Sequence, residues 1–120
     1  MNSSQFGCFA EYMFAVEAMK YDLLVSFPIL HTSAYDCIVE SKKGLFKIQI
    51  KAVNEDNRVR KRVLLKKSNG DYYDINEVDY FAIYSKNKNG FFIFKNNGSL
   101  MNFEVGSNKN SIYFNNFAIL

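Results

Sequence analysis

Asp36, Gln49 and Lys51 are residues of this 120-residue chain whose types and spacing could do chemistry together. The carboxylate of Asp36 is a hard oxygen ligand of the kind that Mg²⁺ prefers. A lysine beside such an ion can position an attacking water, favour its deprotonation and stabilise negative charge on a phosphate. Gln49 could orient that water or offer its amide oxygen to the metal. These residue types therefore suit metal-assisted cleavage of a phosphodiester bond.

A β-hairpin would bring these three residues together. The sequence predicts two strands, residues 35–40 and 45–51, on either side of a short turn that contains glycine. In the register that this turn sets, Asp36 faces Gln49 across the hairpin. Gln49 and Lys51 are two residues apart, so they share one face of the sheet. The neighbouring apolar residues point to the opposite face: Phe46, Ile48 and Ile50.

A helix is predicted before the hairpin. Apolar residues recur at helical spacing over residues 4–22, and Ser3 or Ser4 is predicted to cap the first turn. Glu11 lies on the largely apolar stripe of this helix, where an isolated carboxylate would be costly to bury. A metal ion or Lys51 would supply the partner that it needs. The alternative is a glutamate at the edge of the stripe that reaches solvent.

The rest of the chain is predicted to consist mainly of strands and turns. Pro28 makes residues 25–29 an edge strand or an extended segment. A basic strand is predicted at 59–66, and an apolar strand at 80–84 leads through an Asn-Gly turn into a further strand at 91–94. The asparagine-rich sequence that follows is ambiguous.

Length and composition predict one domain, residues 1–120. The chain is 48% hydrophobic and 17% aromatic, which is too much apolar surface for a disordered protein. No apolar run approaches the length of about 18–20 residues that spans a bilayer, and no signal peptide is recognised. We therefore expect a cytoplasmic protein that does not interact with membranes. Its two cysteines, Cys8 and Cys37, are expected to be buried thiols rather than a disulfide.

The basic residues are concentrated in one stretch of the sequence. Residues 42–67 carry ten Lys or Arg against two acids, whereas residues 1–41 carry one Lys against five acids. Such a stretch can bind phosphates, although a solvated edge strand has the same composition. Tyr72 and Tyr73, which follow it, could stack on bases. The residues that we predict to bind nucleic acid are Lys47, Arg58, Arg60, Lys61, Arg62, Lys66 and Lys67.

The order of these features resembles the PD-(D/E)XK nuclease superfamily. Asp36 is followed by the tripeptide QIK at residues 49–51, and a helix that carries Glu11 precedes both. With the downstream strand VDYFAIY, this order is most similar to the homing endonucleases associated with group I introns. The resemblance covers about residues 5–95.

This resemblance implies a fold, an activity and a set of roles. The fold would be α/β (α+β), with a restriction-endonuclease-like mixed β-sheet core and an N-terminal helix. The activity would be DNA cleavage that depends on Mg²⁺, for which Mn²⁺ could substitute. The implied metal ligands are Asp36, the backbone carbonyl of Ile50 and Glu11. Lys51 would act on the nucleophilic water, and Gln49 takes a position usually held by Asp or Glu.

Two further features depart from the superfamily pattern. Tyr35 rather than proline precedes Asp36, and no long second helix is predicted after Lys51. Some superfamily members do carry Gln at the position of Gln49, so this substitution does not abolish the resemblance.

The implied partner is double-stranded DNA, bound by a homodimer or homotetramer. A domain of this size offers one active site, so cutting both strands calls for at least two subunits. Two other functions stay open. One is a Holliday-junction resolvase with the same catalytic residues. The other is a catalytically inactive nucleic-acid-binding protein, in which Gln49 marks lost activity.

Overall fold

The computed structural model describes residues 1–120, with one α-helix followed by seven strands. α1 spans Ser3–Met19, and two short 3-10 helices lie at Ser111–Tyr113 and Phe117–Ile119. No helix combines the length and the apolar character that crossing a membrane requires. The strands are β1 (Leu24–Ser26), β2 (Cys37–Ser41), β3 (Gly44–Val53), β4 (Lys61–Leu64), β5 (Tyr80–Ser85), β6 (Gly90–Lys95) and β7 (Asn102–Val105).

α1 begins after a capping box that the sequence analysis missed. The Asn2 side chain accepts a hydrogen bond from the Gln5 N–H at 2.8 Å, and the Gln5 side chain accepts one from the Asn2 N–H at 2.9 Å. This reciprocal pair satisfies N–H groups that a helix start leaves open, so neither predicted serine is the cap. The helix ends at Met19 rather than at residue 22, because the chain turns at Asp22 with a φ of 60°.

A five-stranded mixed sheet forms the centre of the molecule, in the order β1-β2-β3-β5-β6. β3 pairs antiparallel with β2 and parallel with β5, while the other neighbours are antiparallel. This confirms the predicted mixed sheet with an N-terminal helix. As the sequence analysis predicted, no long second helix follows Lys51.

The register of the β2–β3 hairpin is confirmed as far as the pairing extends. Ile38 lies opposite Lys47, as predicted, and the last pair is Cys37 with Ile48. Asp36 therefore lies just outside the ladder instead of forming a regular pair with Gln49. The main chain of Asp36 is still held to β3, because its N–H donates to the Ile48 carbonyl at 2.8 Å.

Both faces of the sheet are covered. α1 packs on one face and builds a core with Ile48 and Ile50 of β3. The second face carries another core, which includes Val53 of β3 and residues of β4 to β7. β5 and β6 are buried along almost their whole length, as the continuous apolar runs predict for strands covered on both faces.

β4 and β7 form a separate two-stranded antiparallel ribbon over the second core. The predicted basic strand at 59–66 is paired only from Lys61 to Leu64. At Gly106, just after β7, the backbone passes very close to the segment that precedes β4. A side chain at this position would put its Cβ 1.8 Å from the Val59 carbonyl oxygen, and the φ of 94° also favours glycine.

The two cysteines differ in their surroundings. Cys37 is buried, and burial raises the pKa of its thiol. Cys8 is exposed on α1, so the expectation of two buried thiols is wrong for this residue. As predicted, the two cysteines do not form a disulfide.

Candidate active site

Asp36 is fixed at the point where β2 begins. Its carboxylate oxygen Oδ2 accepts the N–H of Ile50 at 2.7 Å, and its own N–H donates to the Ile48 carbonyl. Asp36 is therefore hydrogen-bonded to both residues of β3 that flank Gln49. Its second carboxylate oxygen, Oδ1, has no hydrogen-bond partner in the chain and is available to a ligand.

The backbone carbonyl of Ile50 faces the same side of β3 as Asp36. In a strand, the N–H and C=O of one residue point in the same direction. Because the Ile50 N–H points to the Asp36 carboxylate, its carbonyl points into the space beyond the start of β2. The Gln49 Nε2 atom lies 3.4 Å from this carbonyl oxygen, which is longer than a typical hydrogen bond.

Glu11 approaches the same place from α1. A cleft of about 670 Å³ lies between the first half of the helix and the segment before β2. Both Glu11 and Asp36 line this cleft, whereas Gln49, Ile50 and Lys51 of β3 are not among its lining residues. His31 also lines it, which places the only histidine of the chain beside the two acids.

The two carboxyl groups have raised pKa values. Burial is the main cause for Glu11, the negative charge of Asp36 raises its pKa further, and His31 lowers it. Burial also raises the pKa of Asp36, while the hydrogen bond from Ile50 and the charge of Lys51 lower it. Neither carboxylate forms an ion pair with a basic side chain. The two acids therefore share this cleft without a direct ion-pair partner.

Lys51 lies close enough to influence this charge without pairing to it. Its charge lowers the pKa of Asp36, yet the two side chains form no ion pair. The Lys51 ammonium group instead donates to the Tyr73 hydroxyl at 3.2 Å and lies 5.4 Å from the centre of the Tyr73 ring. Sequence reasoning considered Tyr73 for base stacking, but the residue is only 7% exposed, and its contact with Lys51 was missed.

The oxygen donors around Asp36 are of the types that a hard divalent cation takes. Asp36 and Glu11 offer carboxylate oxygens and Ile50 offers a carbonyl oxygen, which are the ligand types that Mg²⁺ takes. A cation would also relieve the repulsion that raises the pKa of Glu11. The chain has no cluster of three or more His, Cys, Asp or Glu that could hold a metal. Mg²⁺ often binds through one or two carboxylates and keeps several waters, so such a cluster is not required.

Three of the predicted nucleic-acid-binding lysines are engaged by the protein itself. Lys47 donates to the main-chain carbonyl of Asn76, and Lys61 donates to that of Asn54 at 2.7 Å. The ammonium group of the third lies 2.6 Å from a carboxylate, in the ion pair of Lys67 with Glu77. These contacts leave less of their hydrogen-bonding capacity for phosphates.

The other four predicted residues are less constrained. Arg60 lies 3.7 Å from Glu104 on the ribbon, and the ammonium group of Lys66 lies 5.4 Å from the centre of the Tyr72 ring. The last two are exposed and have no side-chain hydrogen bond or ion pair: Arg58 and Arg62.

Comparison with known proteins gives a family match and a structural match. The family model described as "PD-(D/E)XK endonuclease" matches residues 1–116. No curated protein matches the sequence. Among solved structures, the bacterial homing endonuclease I-Ssp6803I is similar, with a TM-score of 0.80 and 15% sequence identity. The match covers 98% of this chain and 90% of that chain, and it shows a shared restriction-endonuclease-like fold.

Proposed function

This chain belongs to the PD-(D/E)XK endonuclease family, and on that premise we propose that it is a Mg²⁺-dependent, sequence-specific DNA endonuclease of the homing type. Family membership makes it a nuclease that hydrolyses phosphodiester bonds. The observation that carries the finer proposal is the pair of carboxylates, Glu11 and Asp36, that line one cleft without a cation partner. The similarity in fold to a bacterial homing endonuclease supports the homing role.

Each residue of the site has a distinct role in this proposal. Asp36, Glu11 and the Ile50 carbonyl hold the cation, and Mn²⁺, which takes similar oxygen ligands, can replace Mg²⁺. When bound, the ion supplies positive charge that activates water and stabilises the scissile phosphate. Lys51 orients the attacking water and stabilises the charge that develops on the phosphate. Gln49 orients the same water or adds its amide oxygen to the ligands.

Glu11 explains why a glutamine at residue 49 is compatible with catalysis. A neutral amide at this position removes one negative charge from the usual ligand set. Glu11 supplies a second carboxylate from α1, in the cleft that Asp36 also lines. The site therefore keeps two acidic groups for the cation although β3 contributes none.

The DNA would reach the site along the basic residues of the chain. Arg58 and Arg62 have unpaired guanidinium groups that can contact phosphates, and a two-stranded ribbon such as β4–β7 can enter a major groove. Because one chain carries one site, cleavage of both strands requires a homodimer or homotetramer on double-stranded DNA.

A cleavage assay tests the proposal. Wild-type protein and Lys51→Ala are incubated with supercoiled plasmid, linear duplex and a four-way junction, each with Mg²⁺ and with EDTA. We expect duplex cleavage that requires Mg²⁺ and falls by at least about 100-fold in Lys51→Ala. Lys42→Ala is the matched control, because Lys42 is an exposed lysine of the β2–β3 turn without a partner.

Other outcomes would contradict the proposal in distinguishable ways. Cleavage restricted to the four-way junction would identify a Holliday-junction resolvase. A library of random duplexes covers the case in which the target sequence is missing from the first substrates. Salt-sensitive binding without cleavage of any library member would identify a catalytically inactive nucleic-acid-binding protein.

A further inference from the structure

The hydroxyl group of Tyr73 is the only hydrogen-bond partner that the chain provides for the ammonium group of Lys51. The two atoms are 3.2 Å apart, and the ammonium also lies 5.4 Å from the ring centre. The contact is mutual, since the Tyr73 hydroxyl has no other partner. A buried tyrosine hydroxyl ordinarily needs a polar partner, and here the chain provides only Lys51.

Tyr73 is itself held firmly in the second core. Its ring packs edge-on against Phe81, with ring centres 5.5 Å apart and an angle of 77° between the planes. Its backbone carbonyl accepts a hydrogen bond from the Asn96 side chain at 3.0 Å. Asn96 is 4% exposed and also donates to the Val78 carbonyl at 2.9 Å. The hydroxyl therefore points at Lys51 from a rigid support.

We propose that Tyr73 is a positioning residue, whose hydroxyl holds the Lys51 ammonium group at the cleavage site. A lysine side chain is long and flexible, so fixing its head group costs conformational freedom. Because the Tyr73 hydroxyl is rigidly held, its hydrogen bond orders the Lys51 side chain before substrate binds. An ammonium group has three N–H donors, so one bond to Tyr73 leaves two for water and phosphate. The catalytic consequence rests on the proposed function, whereas the contact itself does not.

Tyr80 provides a matched control for Tyr73. It also packs edge-on against a phenylalanine, with its ring centre 5.4 Å from that of Phe46 and an angle of 87°. Unlike the Tyr73 hydroxyl, its hydroxyl has no hydrogen-bond partner in the chain. Replacing either tyrosine by phenylalanine keeps the ring packing, so the two variants differ in the loss of the bond to Lys51.

The first measurement is steady-state cleavage of a duplex substrate by Tyr73→Phe and Tyr80→Phe. We expect kcat to fall about tenfold in Tyr73→Phe, because a hydrogen bond to a charged group is lost. KM and the melting temperature should stay at their wild-type values, and Tyr80→Phe should match the wild type in all three. A kcat within twofold of wild type in Tyr73→Phe overturns the proposal. So does a fall in kcat that is matched by a loss of thermal stability.

The second measurement does not depend on activity. Proton–nitrogen NMR detects lysine ammonium groups that are ordered by hydrogen bonds, and Lys51→Arg assigns the signal of Lys51. We expect this signal in the wild type and Tyr80→Phe and its loss in Tyr73→Phe. If the wild type cuts no DNA but this pattern holds, the proposed function fails and the positioning contact stands. A Lys51 signal that persists in Tyr73→Phe overturns the contact.

Discussion

Two regions of the molecule bury carboxylates wholly or partly, and they differ in how many hydrogen bonds those carboxylates accept. Glu55, which follows β3, is 2% exposed, and its carboxylate accepts hydrogen bonds from the Ser85 hydroxyl and from the Asn87 N–H. At the cleft, Asp36 accepts one hydrogen bond and Glu11 accepts none. The chain thus satisfies the more deeply buried acid and leaves the two less buried acids short of partners.

We interpret this difference as one between a structural acid, Glu55, and the two acids of the proposed cation site. Around Glu55 the hydrogen bonds continue, since Ser85 also accepts the Lys88 N–H and the Asn87 side chain donates to the Asp56 carbonyl. The network joins the loop after β3 to the β5–β6 turn. Glu11 and Asp36 are only partly buried, so their open carboxylate oxygens stay within reach of solvent and of the cation that we propose.

The largest expected effect is on cleavage by Asp36→Asn. Asparagine has almost the same shape and can still accept the Ile50 N–H, but it lacks the negative charge that we propose holds the cation. We expect cleavage to fall by at least about 100-fold while the protein stays folded. Single-turnover cleavage and urea unfolding measure the two properties. Glu40→Gln is the control, since this exposed acid lies on the same hairpin. Cleavage by Asp36→Asn within tenfold of wild type would break the comparison.

At Glu55 we expect the reverse, which is a loss of stability. Glu55→Ala leaves the Ser85 hydroxyl and the Asn87 N–H without their acceptor in a buried place. The free energy of unfolding should fall by about 2–4 kcal/mol. Urea unfolding at neutral pH measures this loss, with Glu40→Ala expected to change it by less than about 0.5 kcal/mol. A Glu55→Ala protein as stable as wild type would show that the network contributes nothing.

The gain in stability on adding Mg²⁺ should also distinguish the cleft acids from Glu55. A ligand that binds only the folded state stabilises it, by about 1.4 kcal/mol when its concentration is tenfold above Kd. We expect this gain in the wild type and in Glu55→Ala, because the latter keeps the cleft acids. It should be absent in Asp36→Asn. Thermal unfolding with and without Mg²⁺ measures it, and an equal gain in all three proteins would place the cation elsewhere.

The pH dependence of the metal-free protein follows from the raised pKa values of Glu11 and Asp36. Burial, their largest cause, penalises the charged forms, so the unfolded chain releases these protons at lower pH than the folded chain does. The stability that these groups contribute is therefore complete below about pH 4 and falls as pH rises through the folded pKa values. Asp36→Asn should gain stability over wild type in that window. Urea unfolding in EDTA across pH tests this, and a constant difference would contradict it.

The β2–β3 hairpin of the candidate site could be predicted from the sequence because its determinants are local. A short turn with Gly44, which has a φ of 140°, sets the pairing of the two strands next to it. Period-two alternation then puts Gln49 and Lys51 on one face. Glu11 could be predicted because helical spacing placed it on an apolar stripe. What the local pattern missed was the hydrogen bond from Ile50 to Asp36, since it forms where the regular ladder stops.

The surroundings of the basic segment could not be predicted in this way. β4 pairs with β7, which lies far along the sequence, so no local turn indicates which strand is its partner. The pairing of Lys67 with Glu77 depends equally on how the intervening loop folds. Base stacking was considered for Tyr73 because it follows the basic stretch, yet its ring belongs to the second core. Long-range packing decides these contacts.

The smallest expected effects concern basic side chains, which also differ in whether the chain supplies them with a partner. Arg62 has no ion pair, whereas Lys67 is paired with Glu77, whose hydrogen bond is the main cause of a raised Lys67 pKa. An unpaired cation can neutralise a phosphate and release a counterion, so Arg62→Ala should reduce the salt dependence of DNA affinity by about one unit of log–log slope. Lys67→Ala should change the slope less, because Glu77 already balances this charge. Fluorescence anisotropy over a salt series in EDTA measures both slopes. Equal slopes for the two variants would mean that DNA displaces Glu77, and that pairing within the chain does not decide which charges remain available to DNA.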